Sequence, residues 1–176
     1  MNDDYEIKVD GEKHQFESGA NRNTKKGKGR FDLLDSDIMV EILEYSVNRY
    51  SEYQKPSTTP CDAIKSALLG DYEEAIRCII SLEYFRYIST EIEYTDAEFF
   101  VQMYAFMMKD LAIHYEKGAD MYGENNWKMG IPTSSFRSSG LRHLTQWLRD
   151  ETDEPHHISA IWNFIGCIYN SKHGLE

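Results

Sequence analysis

The sequence of 176 residues is 41% hydrophobic and 13% aromatic, which is enough apolar side chain for one folded domain and excludes disorder along the whole chain. Its formal net charge of -11 disfavours binding to nucleic-acid polymers, because an acidic surface repels phosphate backbones. The sequence has no run of about 18 apolar residues, no apolar N-terminal segment and no paired cysteine motif, so we expect a cytoplasmic protein without membrane contact.

Residues 1–26 are polar and aperiodic, and we interpret them as a flexible arm. The arm leads into a basic run that is punctuated by glycines and extends to Arg30. Exposed glycine N–H groups and the charges of Lys28 and Arg30 together suit a phosphate, although the run lacks the Gly-Lys-Ser/Thr ending of a P-loop. Composition alone favours the alternative, a disordered basic tail.

The next stretch of the chain shows apolar residues at helical spacing. The pattern predicts a helix capped by Asp35 or Ser36, a short helix from Cys61 to Leu69, and a further helix after Asp71. A loop rich in proline, serine and threonine separates the first two of these helices.

The sequence pattern predicts three more helices in the C-terminal part of the chain. A capping box over residues 95–98 opens a long helix that ends near Gly123. Another helix begins at Ser134 or Ser135, and an acidic turn then leads to a last helix whose apolar stripe starts at Ile158. The sequence shows neither an alternating strand pattern nor an internal repeat, so we predict an all-α bundle of about five to six helices.

Two carboxylates near the end of the long helix form the first candidate site. Glu116 and Asp120 are four residues apart and therefore share one helix face. Such a pair suits Mg²⁺, which takes few protein oxygens and keeps positions for water and phosphate. The alternative is a solvated helix end on which these carboxylates pair with lysines.

A second candidate is the pair Arg142 and His143 within an otherwise apolar helix. The planar donor fork of Arg142 suits a phosphate, whereas His143 is as well explained as a histidine buried in the core.

A third candidate surrounds the start of the last helix. Asp153 and Glu154 suit the positive end of that helix, which is a structural role. His156 and Asn163 are seven residues apart and share a face. His156 and His157 point to different sides of the helix, so a zinc site from this pair has little support.

Four segments resemble the dATP/dGTP diphosphohydrolase N-terminal family, which is common in phages. They are GKGRFDLL (27–34), HYEKGADMYGENNWKMGIP (114–132), SGLRHLTQWLRDETDEPH (139–156) and AIWN (160–163). The resemblance implies a single all-α nucleotide-handling domain over residues 27–176, with a helical insertion at about 51–106.

The resemblance also implies an activity and a cofactor. A purine deoxynucleoside triphosphate would be cleaved to the monophosphate and pyrophosphate, with Mg²⁺ or Mn²⁺ as cofactor. The catalytic residues would be Glu116, His143 and His156. The metal ligands would be Glu116, Asp120 and Asp153. The residues that would bind the nucleotide are Lys28, Arg30, Asn126, Trp127, Lys128, Arg142 and Asn163.

These assignments predict that residues distant in sequence meet. Short connections favour antiparallel neighbouring helices, so we expect Glu116, His143, Asp153 and His156 to converge on one pocket. The wide apolar stripe of the long helix predicts a homo-oligomer.

Two other functions remain open from the sequence. The similar all-α nucleotide pyrophosphatases carry a Glu-x-x-Glu pair, which this sequence lacks on the long helix that leads to its Asn-Asn-Trp loop. That difference favours a non-catalytic protein that binds nucleotides or cyclic nucleotides and counters host defence signalling. The third hypothesis is a structural or regulatory partner without nucleotide affinity.

Overall fold

The computed structural model describes residues 13–15, 17–18, 21–23, 27–53, 58–87 and 96–175. Within these residues the chain forms six α-helices, which confirms the all-α class and the expected number of helices. The helices are α1 (Ser36–Tyr53), α2 (Pro60–Leu69), α3 (Tyr72–Tyr87), α4 (Asp96–Tyr122), α5 (Thr133–Leu148) and α6 (His156–His173). Two single-turn 3-10 helices, Phe31–Leu33 and Asn126–Lys128, precede α1 and α5.

A small β-hairpin lies within residues 1–26, where the sequence indicated no regular structure. Its strands β1 (Lys13–Gln15) and β2 (Asn21–Asn23) are antiparallel, and Lys13 lies opposite Asn23. Strands of three residues are too short to show an alternating pattern, which explains why the sequence did not reveal them. The boundary at residue 26 and the insertion at about 51–106 stay predictions.

Local capping interactions define several helix ends as expected. The Asp35 carboxylate accepts the N–H of Ile38 at 3.3 Å and caps α1. The Asp71 carboxylate accepts the N–H of Glu74 at 3.2 Å and caps α3. Gly70 ends α2 with a φ of 81°, in the left-handed region that glycine adopts without steric cost.

Two predicted helix starts differ in detail from the structure. The helix α5 begins at Thr133, before the expected Ser134 or Ser135. The helix α2 begins one residue before Cys61, at Pro60, which lies inside the capping box that Thr59 and Asp62 form. The capping box predicted over residues 95–98 lies partly outside the described residues.

The helix α6 forms the centre of the fold, and α1, α3, α4 and α5 all pack against it. Its buried residues occur on every side of the helix, from His156 to Asn170. The helix α3 supplies a continuous buried run over residues 75–81. A helix that is buried all round has no polar face, which accounts for the near-continuous apolar sequence of α6.

The contact between α5 and α6 is unusually close because two glycines face two phenylalanines. A Cβ atom on Gly140 would lie 2.5 Å from the ring of Phe164, and one on Gly166 would lie 2.6 Å from the ring of Phe136. Residues that increase in number along α5 contact residues that decrease in number along α6, so the two helices are antiparallel. This packing determines which side chains can meet at the connected ends of the two helices.

Among the helices of the described part of the chain, none combines the length and the apolar character needed to cross a bilayer.

The predicted self-association is not tested by the fold and stays a prediction. The helix α4 buries Met103 and Met107 but leaves Phe106 with 69% of its surface exposed. We expect light scattering at micromolar protein concentration to give a mass above that of one chain, because burying such a side chain between copies is favourable. A clean monomer would contradict this expectation.

The glycine contacts generate a stability prediction. We expect Gly140→Ala to lower the free energy of unfolding by about 1–3 kcal/mol or more, because the Phe164 ring leaves no space for a methyl group. Gly118→Ala on α4 is the matched control, since nothing lies within 4 Å of its Cβ position. It should stabilise the protein by up to about 1 kcal/mol. Equal effects in urea denaturation would contradict the proposed packing.

Candidate functional site

Two histidines from consecutive helices meet at the connected ends of α5 and α6. His143 lies in the second half of α5 and His156 is the first residue of α6. Both are buried, with 8% and 1% of their surfaces exposed, and their Nδ1 atoms are 3.1 Å apart. The intervening turn is held by Gln146, whose side chain donates to the carboxylate of Glu151 at 3.1 Å.

Two carboxylates from this turn complete the cluster. The Glu154 Oε1 atom is 3.0 Å from His143 Nδ1 and 3.2 Å from His156 Nδ1. The Asp153 Oδ1 atom is 2.8 Å from His156 Nε2. The side chains of Glu154 and Asp153 are 42% and 75% exposed, so the cluster is closed on its imidazole side and open on its carboxylate side.

Hydrogen bonding assigns the tautomers of both rings. The Arg142 guanidinium only donates and lies 3.0 Å from His143 Nε2, so His143 Nε2 accepts and its Nδ1 carries the hydrogen. Asp153 accepts from His156 Nε2, and in the neutral form of His156 the lone pair then lies on Nδ1. A continuous chain of polar contacts therefore runs from Arg142 through both imidazoles to Asp153.

The surroundings shift the acidity of these groups. Burial lowers the pKa of His143 below its usual value, and the nearby charge of Arg142 acts in the same direction. The hydrogen bond from His156 lowers the pKa of Asp153. Because both pKa values are lowered, His143 is neutral and Asp153 is ionised at neutral pH. The hydrogen bonds described above require these two forms.

Glu116 has a different environment from the one expected. Its two carboxylate oxygens accept the backbone N–H groups of Gly27 at 2.6 Å and Gly29 at 2.8 Å. Gly29 has a φ of 85°, and a Cβ atom there would lie 2.9 Å from Cβ of Ala112. Glu116 therefore anchors the glycine run against α4, and it occupies the N–H groups that were expected to hold a phosphate.

The expected convergence holds for His143, Asp153 and His156 but not for Glu116. Within the described residues, the groups of side chains close enough to share a metal ion are His143–Glu154–His156 and Glu151–Asp153–His156. Neither group contains Glu116 or Asp120, so the three carboxylates assigned to Mg²⁺ do not assemble. Asp120 lies exposed near the end of α4.

A histidine close to Glu116 in sequence packs against α6. His114 is two residues earlier and so lies on a different side of the helix. Its ring is 5.6 Å from the ring of Trp162, and burial lowers its pKa. The charge of Glu154 acts on the pKa of His114 in the opposite direction, and that of His143 in the same direction.

Several residues assigned to nucleotide binding serve the fold. Trp127 is 5% exposed and its ring packs edge-on against Tyr115 and Tyr169. The buried Asn163 side chain donates to the Ser159 carbonyl at 2.8 Å. Neither Trp127 nor Asn163 presents a free surface to a base or a sugar.

The basic residues assigned to nucleotide binding differ in their surroundings. Arg30 bonds Asp32 and Glu124 at 2.7 Å each, and these hydrogen bonds raise its pKa. Lys128 Nζ is 2.7 Å from a carboxylate oxygen of Asp35. The remaining candidates are the exposed Lys28 and Arg142 and the half-buried Asn126. Of these, Arg142 touches the histidine cluster directly.

The family comparison covers this cluster. Residues 100–175 match the family model described as dATP/dGTP diphosphohydrolase, N-terminal. The matched part contains most of α4 and all of α5 and α6, so the resemblance inferred from the sequence motifs is confirmed for this part of the chain. The glycine run at 27–34 lies outside it. No curated protein and no solved structure matches the chain.

The anchoring of the glycine run generates a prediction. Gln in place of Glu116 offers one acceptor oxygen for two N–H groups, so we expect Glu116→Gln to lower the free energy of unfolding by about 1–3 kcal/mol. Asp120→Asn, on the exposed surface of the same helix, should change it by about 0.5 kcal/mol or less. Indistinguishable urea denaturation curves for the two variants would contradict the anchoring role.

The buried histidines predict acid sensitivity. The unfolded chain takes up protons below the ordinary histidine pKa of about 6.5, whereas folded His114 and His143 resist protonation. The free energy of unfolding should therefore fall as the pH falls through that value. His114→Gln should make this decrease smaller in urea denaturation at several pH values. An unchanged pH dependence would show that His114 does not contribute.

Proposed function

We propose that the protein is a hydrolase that cleaves purine deoxynucleoside triphosphates to the monophosphate and pyrophosphate, with a divalent cation such as Mg²⁺ or Mn²⁺. The proposal is carried by one observation: the segment that matches the dATP/dGTP diphosphohydrolase family contains the clustered His143, His156, Asp153 and Glu154. The cytoplasm of a phage-infected cell is the setting that the resemblance implies.

The side chains around the cluster suit the two needs of this reaction, a base for water and a cation for phosphate. The half-exposed Glu154 carboxylate can accept a proton from water at the open side of the cluster. Asp153 holds His156 in one orientation through its Nε2–H. The exposed Arg142 could bind a phosphate through its guanidinium N–H groups, which otherwise contact Gln146 and His143.

A divalent cation would supply the remaining charge stabilisation, since it can neutralise phosphate oxygens and activate a water molecule. The predicted ligand set of Glu116, Asp120 and Asp153 does not fit one ion, because Glu116 is engaged with the glycine run. The cluster of His143, Glu154 and His156 does fit one, because its ligand atoms lie together at the open site.

The test is product analysis with each deoxynucleoside and nucleoside triphosphate in the presence of Mg²⁺ or Mn²⁺. We expect monophosphate and pyrophosphate in equal amounts, and we expect Glu154→Gln to reduce turnover at least about 100-fold, as for loss of a general base. The control Asp120→Asn should keep wild-type turnover. Release of diphosphate and inorganic phosphate would contradict the proposed bond cleavage.

The same experiment addresses the second candidate, a non-catalytic nucleotide-binding protein. The helix α4, which leads to the Asn-Asn-Trp loop, carries no Glu-x-x-Glu pair, and this favours the second candidate. Retention of intact nucleotide or cyclic nucleotide without products would support it. If the protein neither binds nor cleaves nucleotides, the remaining hypothesis is a structural or regulatory partner without nucleotide affinity.

A further inference from the structure

Three ligand atoms in the cluster form an almost regular triangle. His143 Nδ1, His156 Nδ1 and Glu154 Oε1 are separated by 3.0, 3.1 and 3.2 Å. Two ligands at right angles around a metal ion lie about 3.0 Å apart when each bond is about 2.1 Å long, and two at a tetrahedral angle lie about 3.4 Å apart. The observed triangle falls between these values, so one ion can bind all three atoms with little movement of the chain.

The surroundings orient these atoms toward a shared ion. Metal-binding histidines commonly donate their second ring N–H to a carboxylate, which fixes the tautomer and the ring orientation. His156 does so, since its Nε2 lies 2.8 Å from Asp153 while its Nδ1 lone pair points into the triangle. Both imidazoles are buried, so their orientation is maintained by packing as well.

The second possible group, Glu151–Asp153–His156, is less suitable. It contains one histidine and two carboxylates, and Asp153 in it already accepts a hydrogen bond from His156. Its carboxylates are held without an ion, since Glu151 also accepts from Gln146. The group with two buried histidines is therefore the better candidate for a metal site.

We propose that His143, His156 and Glu154 bind one divalent first-row transition-metal ion, of the type of Mn²⁺, Fe²⁺ or Zn²⁺, in preference to Mg²⁺. The reason is the donor set, because imidazole nitrogens suit these ions whereas Mg²⁺ prefers oxygen ligands. The inference deepens the proposed function, on which it rests for the role of the ion.

The arrangement also leaves the ion accessible. Three ligands on one side of an ion leave further coordination positions, and Glu154 marks the side that is open to solvent. A triphosphate could approach from this side. Binding at His143 Nδ1 requires the imidazole hydrogen to move to Nε2, where it would displace the Arg142 guanidinium. Arg142 is exposed and would then be available to a phosphate oxygen.

Metal binding can be measured without nucleotide or activity. We expect the metal-free protein to bind one Mn²⁺ per chain, counted by loss of the free Mn²⁺ signal in electron paramagnetic resonance. An equal concentration of Zn²⁺ should displace it, whereas an equal concentration of Mg²⁺ should not. Absence of Mn²⁺ and Zn²⁺ binding by the folded wild-type protein would overturn the proposal.

Variants locate the ion. Asp153→Asn should weaken Mn²⁺ binding about 10- to 100-fold, as for loss of a carboxylate that orients a ligand, and Glu154→Gln should weaken it at least as much. Glu154 is half-exposed, so this variant should remain folded, as circular dichroism can verify. Glu151→Gln is the matched control from the same turn. Loss of binding in Glu151→Gln with retention in Glu154→Gln would overturn the assignment.

The outcomes separate this inference from the proposed function. Binding of Mn²⁺ that depends on Glu154, without nucleotide turnover, would support the metal site and contradict the hydrolase. Turnover with Mg²⁺ by a wild-type protein that binds neither Mn²⁺ nor Zn²⁺ at the triangle would support the hydrolase and overturn the metal site.

Discussion

The close contact between α5 and α6 is the constraint on which the candidate site depends. Gly140 and Gly166 leave space for the rings of Phe164 and Phe136, so each helix carries one glycine and one phenylalanine of this contact. Because protein interiors are densely packed, a methyl group at either glycine would force the helices apart. The Nδ1 atoms of the two cluster histidines are 3.1 Å apart only because the two helices approach this closely.

Several charged residues outside the cluster make contacts that maintain the fold. Glu116 holds the glycine run, Lys128 pairs with Asp35, and Arg30 pairs with two carboxylates. These pairs connect the segment before α1 to α4 and to the loop that precedes α5. Electrostatic interactions that maintain the fold are thereby separated from the His143–His156 cluster, whose carboxylates remain accessible to solvent.

Part of the candidate site could be predicted from residue type and spacing. His143 and His156 stand out because histidines are uncommon on such apolar helices, and Asp153 lies in the acidic turn directly before the second helix. Glu154 was assigned to the helix terminus alone, since its contact with His143 on the preceding helix is not a local one. Glu116 was expected in the site because the helix that carries it was predicted correctly. The side of that helix which faces the site was not predictable, and a shift of two residues along a helix changes the side that a residue faces.

The sequence by itself determined the helices and most of their ends, because the interactions responsible lie within about four residues: the caps at Asp35 and Asp71, the glycine after α2, and the apolar spacing. Only the tertiary structure decided which polar groups meet. Glu116 contacts backbone groups 87 and 89 residues away, and His143 contacts His156 across a turn between two helices. Such contacts depend on helix distance and rotation, which arise from packing over the whole core and are not encoded in any short segment.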